Sequence, residues 1–414
     1  MDKSLNTLKY TYLLIFFAGF IIAGSSCSNE SPDIQNQLLG KDWEYIAEES
    51  EGTTVNFMMW QGSPVINNYI NNYLIPEVRK RFNIDLRISG GQGAEIVQLV
   101  MGEKQAGISN GEIDMVWING ETFFQLRKIK GLWGPFVDKL PNAQYIDFED
   151  QYINTDFQQP VNYMECPWSI GQFAMVYDTS KIVSPPSNLR ELASYVRKYP
   201  GTFTISNDFT GMTLLKSFLA ELGGGTNSLN GPFNAEKYND LSSQLWHYIN
   251  SNKQYFWKKG TTFPKEQSKV SQLFANGELY IDYGFGEGGI EEKVKSGLYP
   301  KSTRVYPWDN GTIKNTNYLG ILSNSPNKAG AMQVINFMIS PEAQFEKSHA
   351  DGMDANPVID INRLPVEWQD SFNSASGRKY GPALRDLENY AFPEPAPEYM
   401  IRLYDDFRKK VIEN

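Results

Sequence analysis

The stretch TTVNFMMWQGSPVINNYINNYLIPEVRKRF (53–82) sets the fold class. Residues 53–59 are strand-like. From Ile66 the apolar spacing becomes three and four, at Tyr69, Ile70, Tyr73, Leu74, Val78 and Phe82, which predicts an amphipathic helix. Pro76 falls inside it and predicts a kink. Residues 84–88 alternate as a second strand. Residues 93–106 predict a second helix with Ile96, Val97, Val100 and Met101 on one face, and IDMVWI (113–118) a third strand. The order β-α-β-α-β is the unit of an open parallel sheet wound with helices. Ligands of such sheets sit beyond the carboxyl ends of the strands. Those ends are Trp60-Gln61-Gly62-Ser63 and Asn119-Gly120-Glu121.

A second run begins near Gly171. Residues 173–177, 202–206, 279–283, 303–306 and 318–322 predict strands. Residues 189–198, 210–222, 235–250, 266–276, 290–295 and 328–339 predict helices. At 414 residues the chain is about twice the length of a usual single domain, so two lobes with separate cores are expected. The remainder reads as helical pieces and Pro-rich turns.

Composition narrows the function. With 41% hydrophobic and 21% charged residues the balance is that of a globular protein, not of a disordered tail or a polytopic membrane protein. The net charge is −10 and the basic residues form no long cluster, which argues against nucleic acid. Two histidines (His247, His349) and two cysteines (Cys27, Cys166) are too few for a Cys-rich or His-rich metal site or a disulfide scaffold. No metal or cofactor is expected.

The N-terminus reads as an address. Lys3 and Lys9 precede an uncharged, mostly apolar run from Tyr12 to Gly24. That run is too short to cross a hydrocarbon core of roughly 30 Å and has the length of a signal-peptide core. Gly24, Ser25 and Ser26 then lead to Cys27, which resembles a bacterial lipoprotein signal with Cys27 acylated after cleavage. The alternative is a plain secretory signal. Residues 1–26 are assigned to the signal and 27–50 to a tether and the start of the globular part. Cys166 then has no partner in the chain and is expected to be a buried structural thiol.

Several segments, in order, resemble the extracellular solute-binding proteins of ABC transporters, and more narrowly their YnjB-type subfamily. These are WQGSPVINNYI (60–70), DMVWINGETF (114–123), ECPWSIGQFAMVYD (165–178), DFTGMTLLK (208–216), LFANGELYIDYGFGEG (273–288), NTNYLGI (315–321) and NKAGAMQVINFMISPEAQ (327–344). The resemblance implies an α/β, two-lobed, type II periplasmic-binding-protein fold. Each lobe is a sheet flanked by helices, the lobes are joined by crossing hinge strands, and the solute lies between them. The expected division is 51–170 with 319–350 in one lobe, 171–318 in the other, and 351–414 as a C-terminal helical segment packed on both. The crossings are expected near 169–177 and 315–321. The implied partners are a small solute, the permease and ATPase subunits and, through Cys27, a membrane. A monomer exported to the cell envelope is expected.

The candidate ligand-binding residues are Trp60, Gly62, Ser63, Asn119, Gly120, Glu121, Trp168, Asp208, Thr210, Gly211, Tyr283, Glu287 and Asn317. Glu121 also suits a helix N-terminus electrostatically, and Asp208 or Thr210 suits a helix cap. Gly284, Gly286 and Gly289 match G-x-G-x-x-G, with Asp309 further on. A dinucleotide site is disfavoured because the helix that follows is short and the strand comes late in the chain. Aromatics near these loops (Trp60, Trp168, Trp257, Tyr283, Phe285, Trp308) could stack on a ligand or pack in the core. Glu121, Asp208, Asp282 and Glu287, with hardly a Lys or Arg among them, point to a cationic solute of the thiamine or polyamine kind. Free N–H groups at the helix starts favour an anion or a zwitterion instead. A surface carbohydrate hydrolase and a purely structural lipoprotein are the other functions the sequence allows.

Overall fold

The structure is a computed structural model that describes residues 34–285, 289–349, 353, 355–374, 379–380 and 387–414. Three parallel strands open it: β1 (Thr54–Met59), β2 (Asp85–Gly90) and β3 (Met115–Ile118), in the order β2-β1-β3. Short strands β4 (Leu132–Trp133), β5 (Thr155–Asp156) and β6 (Gln159–Pro160) follow. Next come the long β7 (Glu165–Asp178), then β8 (Ile281–Phe285), β9 (Thr303–Tyr306), β10 (Thr312–Leu322) and β11 (Ala391–Pro393).

Strands β7 and β10 build the two-lobed form. They are antiparallel, and each changes partners along its length. The first half of β7 pairs with β10 from Glu165 to Gln172, and its second half pairs with β8 and β9 from Phe173 onward. β10 pairs with β3 and β4 through Tyr318–Leu322 and with β11 through Thr312–Lys314. The register shifts between Asn317 and Tyr318. One sheet thus serves two bodies, and Ser169–Gln172 and Lys314–Asn317 are the stretches that run between them. The sequence pattern showed only the ends of both strands (173–177 and 318–322), because the crossing halves carry Ser, Gly, Gln and Asn rather than a β-branched run.

The cores are separate. Val55, Phe57, Leu86, Met115, Ile335 and Met338 pack round β1–β3. Met175, Phe203, Leu215, Phe218, Ile281 and Trp308 pack on the other side, with Met400, Leu403 and Phe407 from the helix Pro397–Phe407. That last helix also lies against the helices Phe209–Leu222 and Gly120–Lys128, and so touches both bodies.

Two local expectations change. Residues 202–206 are buried but join no sheet. Their backbone groups go elsewhere: Thr202 O accepts from Tyr280 N, Phe203 O accepts from Trp257 N at 2.8 Å, and Ser206 N donates to the Tyr283 hydroxyl at 2.7 Å. The expected helix over 66–82 is three pieces, Pro64–Tyr69, a π turn Ile70–Leu74, and Ile75–Phe82. Pro76 lacks the N–H that would continue the ladder, and the wider turn before it accommodates its ring. Cys166 is buried and free, its thiol pushed up by burial.

Candidate functional site

A cavity of about 390 Å³ lies where the carboxyl ends of β1, β2 and β3 face the other body across β7 and β10. Its first wall holds Trp60, Gly62, Ser63, Trp117 and Asn119. Its second holds Asp208, Phe209, Thr210, Gln267, Tyr283 and Phe285. Ser169, Gly171 and Asn317, on the crossing strands, form the floor. The placement follows from local sequence. Ser63 caps Pro64–Tyr69 by accepting from Ile66 N, so the chain leaves β1 straight into a helix start at the cavity.

The first wall is aromatic. Trp60 meets Trp117 edge-on at 6.4 Å, and Trp117 meets Trp168 edge-on at 5.0 Å. On the second wall Phe209 and Phe285 lie 5.8 Å apart. Apolar faces with a few amides between them (Asn119, Gln267, Asn317) suit a small organic solute.

The two aspartates on the wall are already engaged. Asp208 Oδ1 accepts from Gly211 N at 3.0 Å and Ser206 Oγ at 2.6 Å, and its Oδ2 accepts from Gln267 N at 2.7 Å. Asp282 Oδ1 accepts from Tyr283 N and Gln267 Nε2, and its Oδ2 from Ser271 Oγ and the Tyr299 hydroxyl. Both hold helix and strand ends in place. The expectation that they stand as unpaired carboxylates awaiting a cation is therefore corrected.

Of the residues expected at the site, Trp60, Gly62, Ser63, Asn119, Asp208, Thr210, Tyr283 and Asn317 come together on this wall. Gly120, Glu121, Trp168 and Gly211 do not. Trp168 lies fully behind Trp117, with its carbonyl accepting from Gln344 Nε2 and Lys347 Nζ. Gly120 sits against the Phe157 ring, and Gly211 against the Ser206 carbonyl, so a Cβ at either would collide with protein rather than with ligand. Glu121 is buried behind the wall, where desolvation lifts its carboxyl to about 7 against the pull of Lys216. Glu287 and Cys27 lie outside the described residues.

Gly284 lies within β8, which is antiparallel to β7 and does not open a parallel βαβ unit, and Gly286 lies outside the described residues. Asp309 accepts from Ser187 Oγ and Asn188 Nδ2 at the surface. Neither feature fits a dinucleotide. Trp257 and Trp308 bond to Glu278 and Glu221 away from the cavity. Sequence reasoning missed Gln267, Asn356 and Lys293 on the wall. The one signal for Gln267 was its place at the start of a predicted helix.

Residues 74–371 match the family of bacterial extracellular solute-binding proteins. The chain belongs to that family. It is 28% identical over 349 residues to protein YnjB of Escherichia coli strain K12, covering 83% of this chain and 89% of that one. Among solved structures it resembles the periplasmic binding protein AfuA from Actinobacillus pleuropneumoniae, solved with fructose-6-phosphate. The TM-score is 0.62 at 13% identity, over 87% of this chain and 98% of that one. It also resembles a periplasmic thiamin-binding protein, with TM-score 0.58 at 15% identity over 87% and 96% of the two chains. Members of this family are the solute-binding components of ABC transporters, and that is this chain's function. No helix among the described residues is long and apolar enough to cross a membrane.

Proposed function

We propose that this solute-binding protein captures a small organic solute in the cavity between its lobes, closes by bending at Ser169–Gln172 and Lys314–Asn317, and delivers the solute to an ABC permease while held at the membrane by acylated Cys27. One observation carries the reading: the cavity is walled by both lobes and floored by the two strands that join them. The lobes are taken as 51–170 with 319–350, and 171–318, with 351–414 packed on both. The wall residues expected from sequence, Trp60 and Asn317 foremost, are the proposed contacts. Turnover is not proposed. A carbohydrate hydrolase needs two free carboxyl groups facing each other, and on this wall Asp208 and Asp282 have all four oxygens occupied by protein donors.

For the solute, a cationic or amine-bearing molecule of the thiamine or polyamine kind rests on the aromatic walls. Trp60, Trp117, Phe209 and Phe285 line the cavity, and aromatic rings attract cations. The test is a thermal-shift titration with amines, phosphates and neutral sugars, since a bound ligand raises the melting temperature. An amine should stabilise the wild type and lose its effect in Trp60→Ala. Stabilisation by a phosphate or sugar alone, unaffected by Trp60→Ala, overturns the cationic assignment and leaves capture standing.

A further inference from the structure

The helices Gly120–Lys128 and Phe209–Leu222 come from opposite lobes, and both begin on the cavity wall, with Asn119 and Thr122 on one and Phe209 and Thr210 on the other. Behind those residues Glu121, on the first helix, acts on Lys216, on the second, and the helix Pro397–Phe407 packs against both. Lys216 is fully buried and paired with Glu394. Its ammonium also lies 4.5 Å from the Phe157 ring centroid. Asn315 Nδ2 donates to the other Glu394 oxygen at 3.4 Å. Glu121 and Asp156 both act on Lys216 from the side of the first lobe. Glu165, at the start of β7, faces Asp156.

Three buried carboxyl groups thus act on one amine, and a fourth, Glu165, adjoins them through Asp156. Glu121 Oε2, Asp156 Oδ2 and both Glu165 oxygens accept no hydrogen bond from any described residue. The other titratable groups facing the cluster are few. Arg127 acts on Glu165 from the helix Gly120–Lys128, the Cys166 thiol faces Glu165 from β7, Tyr318 faces Asp156 and Glu165 from β10, and Tyr404 faces Glu121 from the C-terminal helix. Among the described residues no His, Cys, Asp and Glu group converges closely enough to hold a metal. An ionised carboxylate without partners is costly to bury, and one ammonium offsets at most one of them well. The cheap counter-ion for the rest is a proton.

We propose that Glu121, Asp156 and Glu394 about Lys216, with Glu165 beside Asp156, form a proton-binding centre between the lobes, so that bringing the lobes together over a solute takes up protons. This concerns regulation of the cavity and rests on the capture reading above. When the two helices part, water reaches the carboxyl groups and they ionise in their ordinary range near ~4. When the helices meet, burial raises all four, Glu121 to about 7. The joined form binds more protons, so it is favoured as pH falls from about 7 toward the ordinary carboxylate range. Capture then tightens by up to about tenfold per pH unit for each proton taken up.

The experiment uses the solute-free protein. Infrared difference spectra of the wild type between pH 8 and pH 5.5 should show a buried carboxyl gaining its proton with a midpoint near neutrality. Solution scattering over the same range should show compaction. Glu121→Gln, a neutral isostere, should stay compact at both pH values, and Asp156→Asn replaces it if circular dichroism shows that the first variant does not fold. Carboxyl groups that all titrate below pH 5 overturn the proton centre and leave capture untouched. A neutral-range carboxyl with no change in dimensions overturns the coupling.

Discussion

The indole N–H of Trp117 donates to Asn317 Oδ1 at 3.0 Å, tying the end of β3 to the crossing strand β10 where its register shifts. Trp60 packs on one side of that indole and Trp168 on the other. A movement at the floor of the cavity therefore reaches the aromatic wall through one hydrogen bond and two ring contacts. Trp117→Phe keeps most of the ring surface and removes the donor, leaving a half-buried amide oxygen unpaired. The expected loss is about 1 kcal/mol, read from urea unfolding. Asn317→Ala should cost a similar amount, and the double variant less than the sum, because both singles remove the same bond. Additive losses would show that the bond contributes nothing to stability.

Gly120 and Gly211 stand among the residues expected to bind ligand, Gly211 at a helix start with free N–H groups. They serve the protein instead. A methyl group on Gly120 would enter the Phe157 ring, and one on Gly211 would enter the Ser206 carbonyl. Gly211→Ala should be the worse, because a backbone carbonyl cannot rotate away as a side chain can. Losses of roughly 1–3 kcal/mol are expected for Gly120→Ala and at least as much for Gly211→Ala, measured by thermal or urea unfolding. A thermally neutral Gly211→Ala would refute the close approach.

Asp208 joins two helix starts, capping Phe209–Leu222 with one oxygen and holding Gln267 N with the other. Asp208→Ala should cost about 1–3 kcal/mol, more than an ordinary cap, since three donors lose their acceptor. Asp208→Asn should recover part of it. An Asp208→Ala protein of wild-type stability would return Asp208 to the list of residues free for ligand.

The parallel unit β1–β3 was legible because its apolar period switches cleanly between strand and helix, and the sites at its strand ends were legible with it: Trp60, Ser63 and Asn119 lie on the cavity. The second half of the site was not. Gln267 is close to Asp208 only through folding, and the role of Asp282 depends on Tyr299 and Ser271, whose pairing no local pattern encodes. Counting carboxylates by loop misjudged Asp208 and Asp282 because hydrogen-bond partners cannot be read from sequence, and Glu121 because its burial behind the wall cannot be either. Residues 202–206 misled in the same way, since their β-like composition reflects burial and not pairing.

Anchoring is tested apart from the cavity. If Cys27 carries the lipid, Cys27→Ser should move the protein from the membrane fraction to the soluble one without changing its melting temperature. A single acyl chain binds a bilayer only marginally, so wild-type protein that resists high salt and washing implies more than one chain. An unchanged membrane fraction in the variant would refute the anchor.

The buried carboxyl of Glu121 also sets a pH dependence of folding. Its carboxyl stands at about 7 in the folded chain because burial outweighs the pull of Lys216. In the unfolded chain it returns to the ordinary range near ~4.3. The folded state binds more protons between those values, so this stabilising contribution is complete below the unfolded value and is lost as pH rises through about 7. Its size is on the order of 3 kcal/mol. Lys293 and Lys347 are pushed down by burial and act in the opposite direction. The raw profile therefore mixes signs, and the informative quantity is the difference between wild type and Glu121→Gln. The variant cannot ionise, so relative to the wild type it should gain stability from pH 5 to about pH 7 and level off above that in urea unfolding. A difference that stays flat over that range would mean that Glu121 is hydrated and ionised in the folded protein, and the buried cluster would lose that member.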